Sequence, residues 1–264
     1  MDRLLVLRLR SSGVAAEAWL NGVPLLRTPR TGGDASMPVH EFVVPGDNRL
    51  ELWVEPPPPG AVAAAPAPVF GDGQAHAGAA LLLPRMGQPA ADHGARVLGQ
   101  VGWASPDGEL WRPPLQRAES VDIPVRFPRW RWLDAPKVAE PDTLRAAAAT
   151  WLQDQAVALA RGDADALVSA AKLRFEELAL AYQRQPADDV ARWRSRVQLL
   201  HAQKLRPELP TPESLWLRPV AEGRLLDCLG LDGLPALRCQ RPDGARLFWP
   251  VRLAAVERRL YPLR

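Results

Sequence analysis

The chain of 264 residues is 47% hydrophobic and 24% charged, with a formal net charge of +3. That balance excludes a disordered tail, and two cysteines are too few for a disulfide framework or a four-cysteine zinc site. Residues 1–133 are neutral and the whole excess lies in 134–264, too thinly spread to mark a nucleic-acid-binding face.

The opening run MDRLLVLRLRSSG alternates as a strand does, and Arg8 and Arg10 interrupt it too early for a signal peptide. No stretch approaches the length of a membrane span. The expected compartment is the cytoplasm, with Cys228 and Cys239 as free thiols, and neither a membrane nor a nucleic acid is an expected partner.

Strand signals continue to residue 133. The segment 16–20 is followed by Asn21-Gly22, a strong hairpin signal, and then 23–27. Segments 40–44 and 49–54 flank the turn Pro45-Gly46-Asp47-Asn48. Further strands are expected at 79–83, 96–103, 109–111 and 121–127, where Val121, Ile123, Val125 and Phe127 share one face. The Pro/Ala-rich stretch 56–78, with four consecutive prolines at 56–59, reads as a long surface loop. Residues 1–133 are therefore expected to form an all-β sandwich domain.

Residues 134–142, DAPKVAEPD, read as a hinge before a second domain over 143–264. Three helices are expected there. The first carries Leu144, Ala148, Trp151, Leu152, Gln155 and Leu159 near one stripe and stops at Gly162-Asp163. The second runs from Asp163 to about 183 with Leu167, Phe175, Leu178 and Tyr182 as its apolar stripe. The third starts at Pro186 and buries Val190, Trp193, Val197 and Leu200. Strands at 215–220, 224–229, 234–240 and 246–256, and a short one near 259–263, then make an antiparallel sheet of four or five strands. The chain is thus expected to be two-domain, a sandwich followed by an α+β domain.

Two resemblances follow from these patterns. AEAWLNGVPLL and VHEFVVPGDNRLELWV resemble the sugar-binding-like jelly-roll modules of some glycosidases. ALARGDADALV, with the closing run LPALRCQRPDGARLFWPVRLAAVERRLYPLR, resembles the nuclear-transport-factor-2-like (SnoaL-like) fold, although three uninterrupted helices before any strand depart from its usual order. The second resemblance implies a pocket between helices and sheet.

No catalytic signature stands out. His40, His76, His93 and His201 show no metal-ligand spacing, and nucleophile-elbow, phosphate-loop and dinucleotide motifs are all missing. No cofactor and no metal are expected. Asp163 and Asp165 fit helix capping. Glu176 and Glu177 share a helix with no assignable acid–base work.

The partner-binding candidates are Arg129, Trp130, Arg131 and Trp132, because tryptophan and arginine anchor protein interfaces. Their alternative role is to seal the sandwich edge. Arg192, Arg196 and Lys204 on the third helix are candidates for an acidic partner or an anion. Tyr182 is the candidate pocket residue. The leading expectation is a non-catalytic protein-binding or accessory protein of the bacterial immunity or secretion-associated kind. The alternatives are a small-molecule or enzymatic pocket in 143–264, and carbohydrate binding by 1–133, which requires two or more exposed tryptophans on one face.

Overall fold

The computed structural model describes residues 4–57, 67–85, 94–123, 127–257 and 259–264. One compact unit ends at Arg129, and a second comprises Trp130–Arg264, so the expected hinge at 134–142 lies inside the second.

The first unit contains β1 (Val6–Ser12), β2 (Ala16–Leu20), β3 (Val23–Thr28), β4 (Gly33–Pro38), β5 (Gly46–Val54), β6 (Val69–Asp72), β7 (His76–Pro84), β8 (Ala95–Ala104), β9 (Asp107–Trp111) and β10 (Leu115–Ile123). They form antiparallel sheets ordered β4-β1-β7-β8 and β10-β5-β2-β3, plus a ribbon of β6 and β9. The two-residue period of a strand decides which side is buried. Leu7 and Leu9 of β1, Ala16, Ala18 and Leu20 of β2, and Leu50 and Leu52 of β5 are fully buried, whereas Arg8 and Arg10 face the other way.

Two local devices shape this unit. Asn21 and Gly22 have φ of 52° and 74°, the pair of positive angles a two-residue hairpin requires. The buried Asn48 side chain accepts from the Val44 amide at 2.8 Å and donates to the Val44 and Gly46 carbonyls at 2.9 and 2.8 Å. One amide side chain thereby satisfies the backbone of the Pro45–Asn48 turn.

The second unit contains α1 (Arg145–Arg161), α2 (Ala164–Ala170), α3 (Lys172–Ala181) and α4 (Pro186–Ala202), followed by β11 (Arg206–Glu208), β12 (Leu215–Val220), β13 (Leu225–Gly230), β14 (Leu237–Gln240), β15 (Arg246–Trp249), β16 (Arg252–Val256) and β17 (Arg259–Pro262). Its strands fall into two antiparallel sheets, β11-β14-β15 and β12-β13-β16-β17. The core joins Ala148, Leu152, Ala156 and Leu159 of α1 and Val197 of α4 to Leu217, Leu226, Cys228, Cys239 and Leu253 of the sheets. A single row crosses three strands of the second sheet. Asp227 of β13 lies between Arg218 of β12, at 2.9 Å, and Arg252 of β16, at 3.5 Å. The carboxylate is nearly buried, and the two flanking cations compensate its desolvation.

The expected fold class needs correction. The chain is predominantly β, with 43% of residues in strands and 26% in helices. The described residues hold four α-helices and five separate sheets, with the helices in mid-chain ahead of a β-rich end. The expected second helix divides at Ala171, whose φ and ψ of −103° and 18° end α2 before α3 begins. The expected strand over 246–256 divides at Pro250. Proline has no amide to give a ladder, so β15 pairs with β14 on one side of it and β16 with β13 on the other. One expected sheet thus becomes two.

Smaller differences occur in the first unit. The expected strand at 40–44 is a short 3-10 turn, His40–Phe42. The expected loop over 56–78 carries β6 and the start of β7, while residues 58–66 lie outside the described residues. The expected strand over 121–127 ends β10 at Ile123, with 124–126 also outside the description.

Candidate functional site

The second unit holds a cleft of about 300 Å³ between the helices and the sheets, besides a wider, more open hollow of about 420 Å³ lined by Arg131, Leu173 and Tyr261. Trp151, Gln155 and Leu159 of α1 enter its wall from positions i, i+4 and i+8, which lie one above another on a helix. Leu167 of α2, with Arg174, Phe175 and Leu178 of α3, forms a second side. Trp193 of α4 forms a third. Leu237, Trp249, Pro250 and Val251 supply the sheet side.

Four aromatic rings therefore surround the space. Trp151, Phe175, Trp193 and Trp249 are each only half-buried. Phe175 and Trp193 meet at 6.4 Å between ring centroids with planes 56° apart, a tilted contact. The same Pro250 that splits the strand ladder leaves Trp249 at the end of β15, beside the cleft.

The polar complement is sparse. Among the described lining residues Arg174 is the only charged side chain, and no carboxylate, thiol or imidazole occurs. Gln155 is 9% exposed, and its side-chain amide makes no hydrogen bond to another described residue. The arrangement can bury an apolar ring. It provides no pair of groups to pass a proton between.

The residues expected from sequence lie elsewhere. Trp130 and Trp132 are 0% and 2% exposed, so neither ring can anchor a partner at the surface. The chain turns through a 3-10 segment at Arg131–Asp134, which takes Trp132 into the interior. The Arg131 amide donates to Glu177 Oε1 at 2.7 Å, and its guanidinium donates to Glu176 at 3.0 Å. Arg264 donates to the other oxygen of Glu177 at 2.6 Å and sits 5.6 Å from the Trp130 ring. Arg129 is exposed. The structure thus joins Trp130, Arg131, Glu176, Glu177 and Arg264 in one bonding network, buried at Trp130, Glu177 and Arg264 and open to solvent at the Arg131–Glu176 pair.

The basic stripe on α4 is partly neutralised. Arg192 pairs with Asp189, and the neighbouring Arg194 pairs with Asp165 at 2.7 Å. Arg196 and Lys204 stand exposed. Tyr182 is half-buried beneath the Arg184 guanidinium, 4.8 Å away, and does not line the cleft.

Histidine and cysteine serve structure. His40 is buried and accepts the Leu5 amide at 2.8 Å. His76 and His201 bond the carbonyls of Gln74 and Ala160, and His93 lies outside the described residues. No group of three or more metal-ligating side chains occurs among the described residues. Cys228 and Cys239 are buried thiols. Burial pushes Cys228 upward and raises Cys239 to about 11, away from thiolate chemistry.

In the first unit, Trp19 and Trp53 share the outer face of β2 and β5, 5.7 Å apart, but both are half-buried, as are Trp103 and Trp111. The exposed platform that carbohydrate binding requires is not formed by these four rings. A trough of about 880 Å³ runs over Gly78, Ala80 and Gly102 beside Arg8 and Arg10. Those guanidiniums are engaged by Asp34, and the hydrogen bond from Arg8 is the main reason that carboxyl is held down at about 2.

Sequence reasoning placed Trp151, Gln155, Phe175 and Trp193 on helix stripes, and held a pocket between helices and sheet only as an alternative, with Tyr182 as its candidate residue. Arg174 and Trp249 carried no signal of their own. No helix among the described residues is long and apolar enough to cross a membrane. No family model, no curated protein and no solved structure matches the chain.

Proposed function

We propose that the second unit is a binding module for a small, largely apolar ring compound, held in the cleft between α1, α3, α4 and the strands. The observation that carries this reading is the open space of about 300 Å³ walled by Trp151, Phe175, Trp193 and Trp249. Protein interiors normally close to crystal-like density. Aromatic side chains left half-buried around a space are groups whose remaining apolar surface a ligand could still remove from water. The volume falls at the lower end of ligand sites, and the wall has their usual character, apolar with a few polar groups. A pocket between helices and sheet is also what a resemblance to the nuclear-transport-factor-2-like fold implies.

The test is titration of the full chain with neutral bicyclic compounds such as indole and 2-naphthamide, followed by tryptophan fluorescence and calorimetry. Saturable one-to-one binding is expected. Ala171→Phe, which places a ring in the cleft wall, should weaken it at least about tenfold without lowering the melting temperature. Binding that is absent, or unchanged in Ala171→Phe, overturns the reading.

A further inference from the structure

The first turn of α3 stands between two spaces. Leu173 lines the hollow of about 420 Å³, whereas Phe175 and Leu178 line the cleft of about 300 Å³. Leu173 and Phe175 are two residues apart, so their side chains leave the helix about 200° from one another. The two spaces therefore flank opposite faces of one helix. A helix packed at interior density on both faces shifts only by overlapping its neighbours. The start of α3 instead has room to give way on one face and room for a ligand on the other.

The parts of α3 are held unequally. Glu177 is fixed by the Arg131 amide at 2.7 Å and by Arg264 at 2.6 Å, and the two side chains of that ion pair are 5% and 1% exposed. Breaking a buried pair from one side strands a charge, so this point is anchored. Ahead of it the ties are slight. The Arg131 guanidinium donates to Glu176 at 3.0 Å and to the Leu173 carbonyl at 3.3 Å, but this ion pair is 45% and 39% exposed. Exposed pairs hold weakly. At the start of the helix, Ala171 has φ and ψ of −103° and 18°, which makes a joint between α2 and α3. An anchor, a joint and free space on both faces are the parts of a swinging element.

We propose that Lys172–Phe175 is a gate for the ring-binding cleft. It swings into the hollow to admit a ligand and returns to place Phe175 against it. This rests on the binding reading above and states how that same site is entered and closed.

The floor of the hollow offers a way to block the swing. Ala254 and Val256 of β16 and Tyr261 and Leu263, in and just beyond β17, alternate onto one face of the sheet and form that floor. Ala254 lies directly opposite Tyr261 and contributes a single methyl group. A larger side chain at this position occupies the space that α3 needs, while every residue lining the cleft stays as it is.

Stopped-flow tryptophan fluorescence of the full chain with 2-naphthamide separates the gate from the affinity. A gate changes the barrier to entry and exit alike. In Ala254→Phe the association and dissociation rate constants should both fall at least about tenfold, with Kd kept within about twofold. Arg131→Met removes the exposed tie and keeps the amide that holds Glu177, so both rate constants should rise about two- to fivefold. Hydrogen exchange supplies a second readout. In the ligand-free chain the amides of Leu173–Phe175 should exchange faster than those in the middle of α1, and both 2-naphthamide and Ala254→Phe should slow them.

Rate constants unchanged in Ala254→Phe, or lowered in Arg131→Met, overturn the gate and leave the binding module standing. So does exchange of Leu173–Phe175 as slow as that of α1 in the free protein. Failure of the parent chain to bind 2-naphthamide saturably overturns the binding module and the gate together. Thermal melts show whether each variant is folded. If Ala254→Phe melts early, Val256→Phe takes its place, because Val256 lines the same hollow and is 38% exposed.

Discussion

Glu177 ties two distant stretches of the second unit to one helix. Its two oxygens take the Arg131 amide at 2.7 Å and the Arg264 guanidinium at 2.6 Å, and both side chains of the ion pair are buried. Arg264 also donates to the Leu263 carbonyl at 2.6 Å and lies against Trp130. A buried pair of this kind adds little over a well-packed apolar replacement, but breaking it from one side leaves a charge in a dry site. Glu177→Ala should therefore destabilise the second unit by about 3–5 kcal/mol. Glu177→Gln keeps an acceptor for the Arg131 amide and should cost less. Urea unfolding followed by far-ultraviolet circular dichroism checks both. An unchanged midpoint in Glu177→Ala would show that the network does not hold this part of the chain. The same geometry explains why Trp130 and Trp132 are interior: the bonds that order Arg131 draw the flanking rings inward.

At the scale of elements, the end of α1 is set by Gly162 and by what packs on it. Its φ is 73°, and a Cβ there would lie 2.8 Å from Cγ of His201, whose Nδ1 contacts the Ala160 carbonyl at 3.0 Å. Gly162→Ala combines left-handed strain with a clash against a ring fixed by its own hydrogen bond. The loss should reach about 2 kcal/mol or more, of which the backbone term alone is roughly 1–2 kcal/mol. Gly244 separates the two contributions, because its φ is 85° and nothing lies within 4 Å of a Cβ there. Gly244→Ala should show only the backbone term, so thermal melts of the two variants should differ by the His201 clash. Equal losses would remove that contact from the argument. Features of this local kind were legible in the sequence. The stop at Gly162-Asp163 and the hairpin at Asn21-Gly22 are written in residues that act on their own backbone. Strand β4 was not legible, because GDASMP has little intrinsic strand character and is held by its partner β1; β6 has Val69 and Phe70 but follows a Pro/Ala-rich stretch that reads as loop, and it is paired by β9. The sheet change at Pro250 had a signal, the missing amide, but the alternation of 246–256 reads straight across it. The cleft was half legible. Helix periodicity put Trp151, Phe175 and Trp193 on inward faces, yet whether facing rings interlock or leave a space depends on how three helices pack, which periodicity does not encode.

At the scale of the whole molecule, the distribution of reporters makes the second unit separately observable. All four described α-helices and both cysteines belong to it. Cys228 and Cys239 sit in the core that joins α1 and α4 to the strands, so a reagent reaches them only when that core opens. At pH 8 both thiols of the native chain should react with an aromatic disulfide far more slowly than a free thiol. In a urea series their reactivity should rise together with the loss of helical circular dichroism. Rapid reaction of the native protein, or thiol exposure that precedes loss of helix, would show that the core is not closed around them. Alkaline pH gives the same core a second test. Burial raises Cys239 from its ordinary value of 9.0 to about 11, so above pH 9 an unfolded chain releases the proton that the folded chain retains. Linkage then favours the unfolded state, and the stability contributed by the protonated thiol is present below pH 9 and falls as the pH rises toward 11. The urea midpoint of the second unit should decline over that window, and Cys239→Ala should lessen the decline, with the rest supplied by Cys228, which burial also raises. An equal slope in that variant would assign the alkaline loss to other groups and leave Cys239 without a part in it.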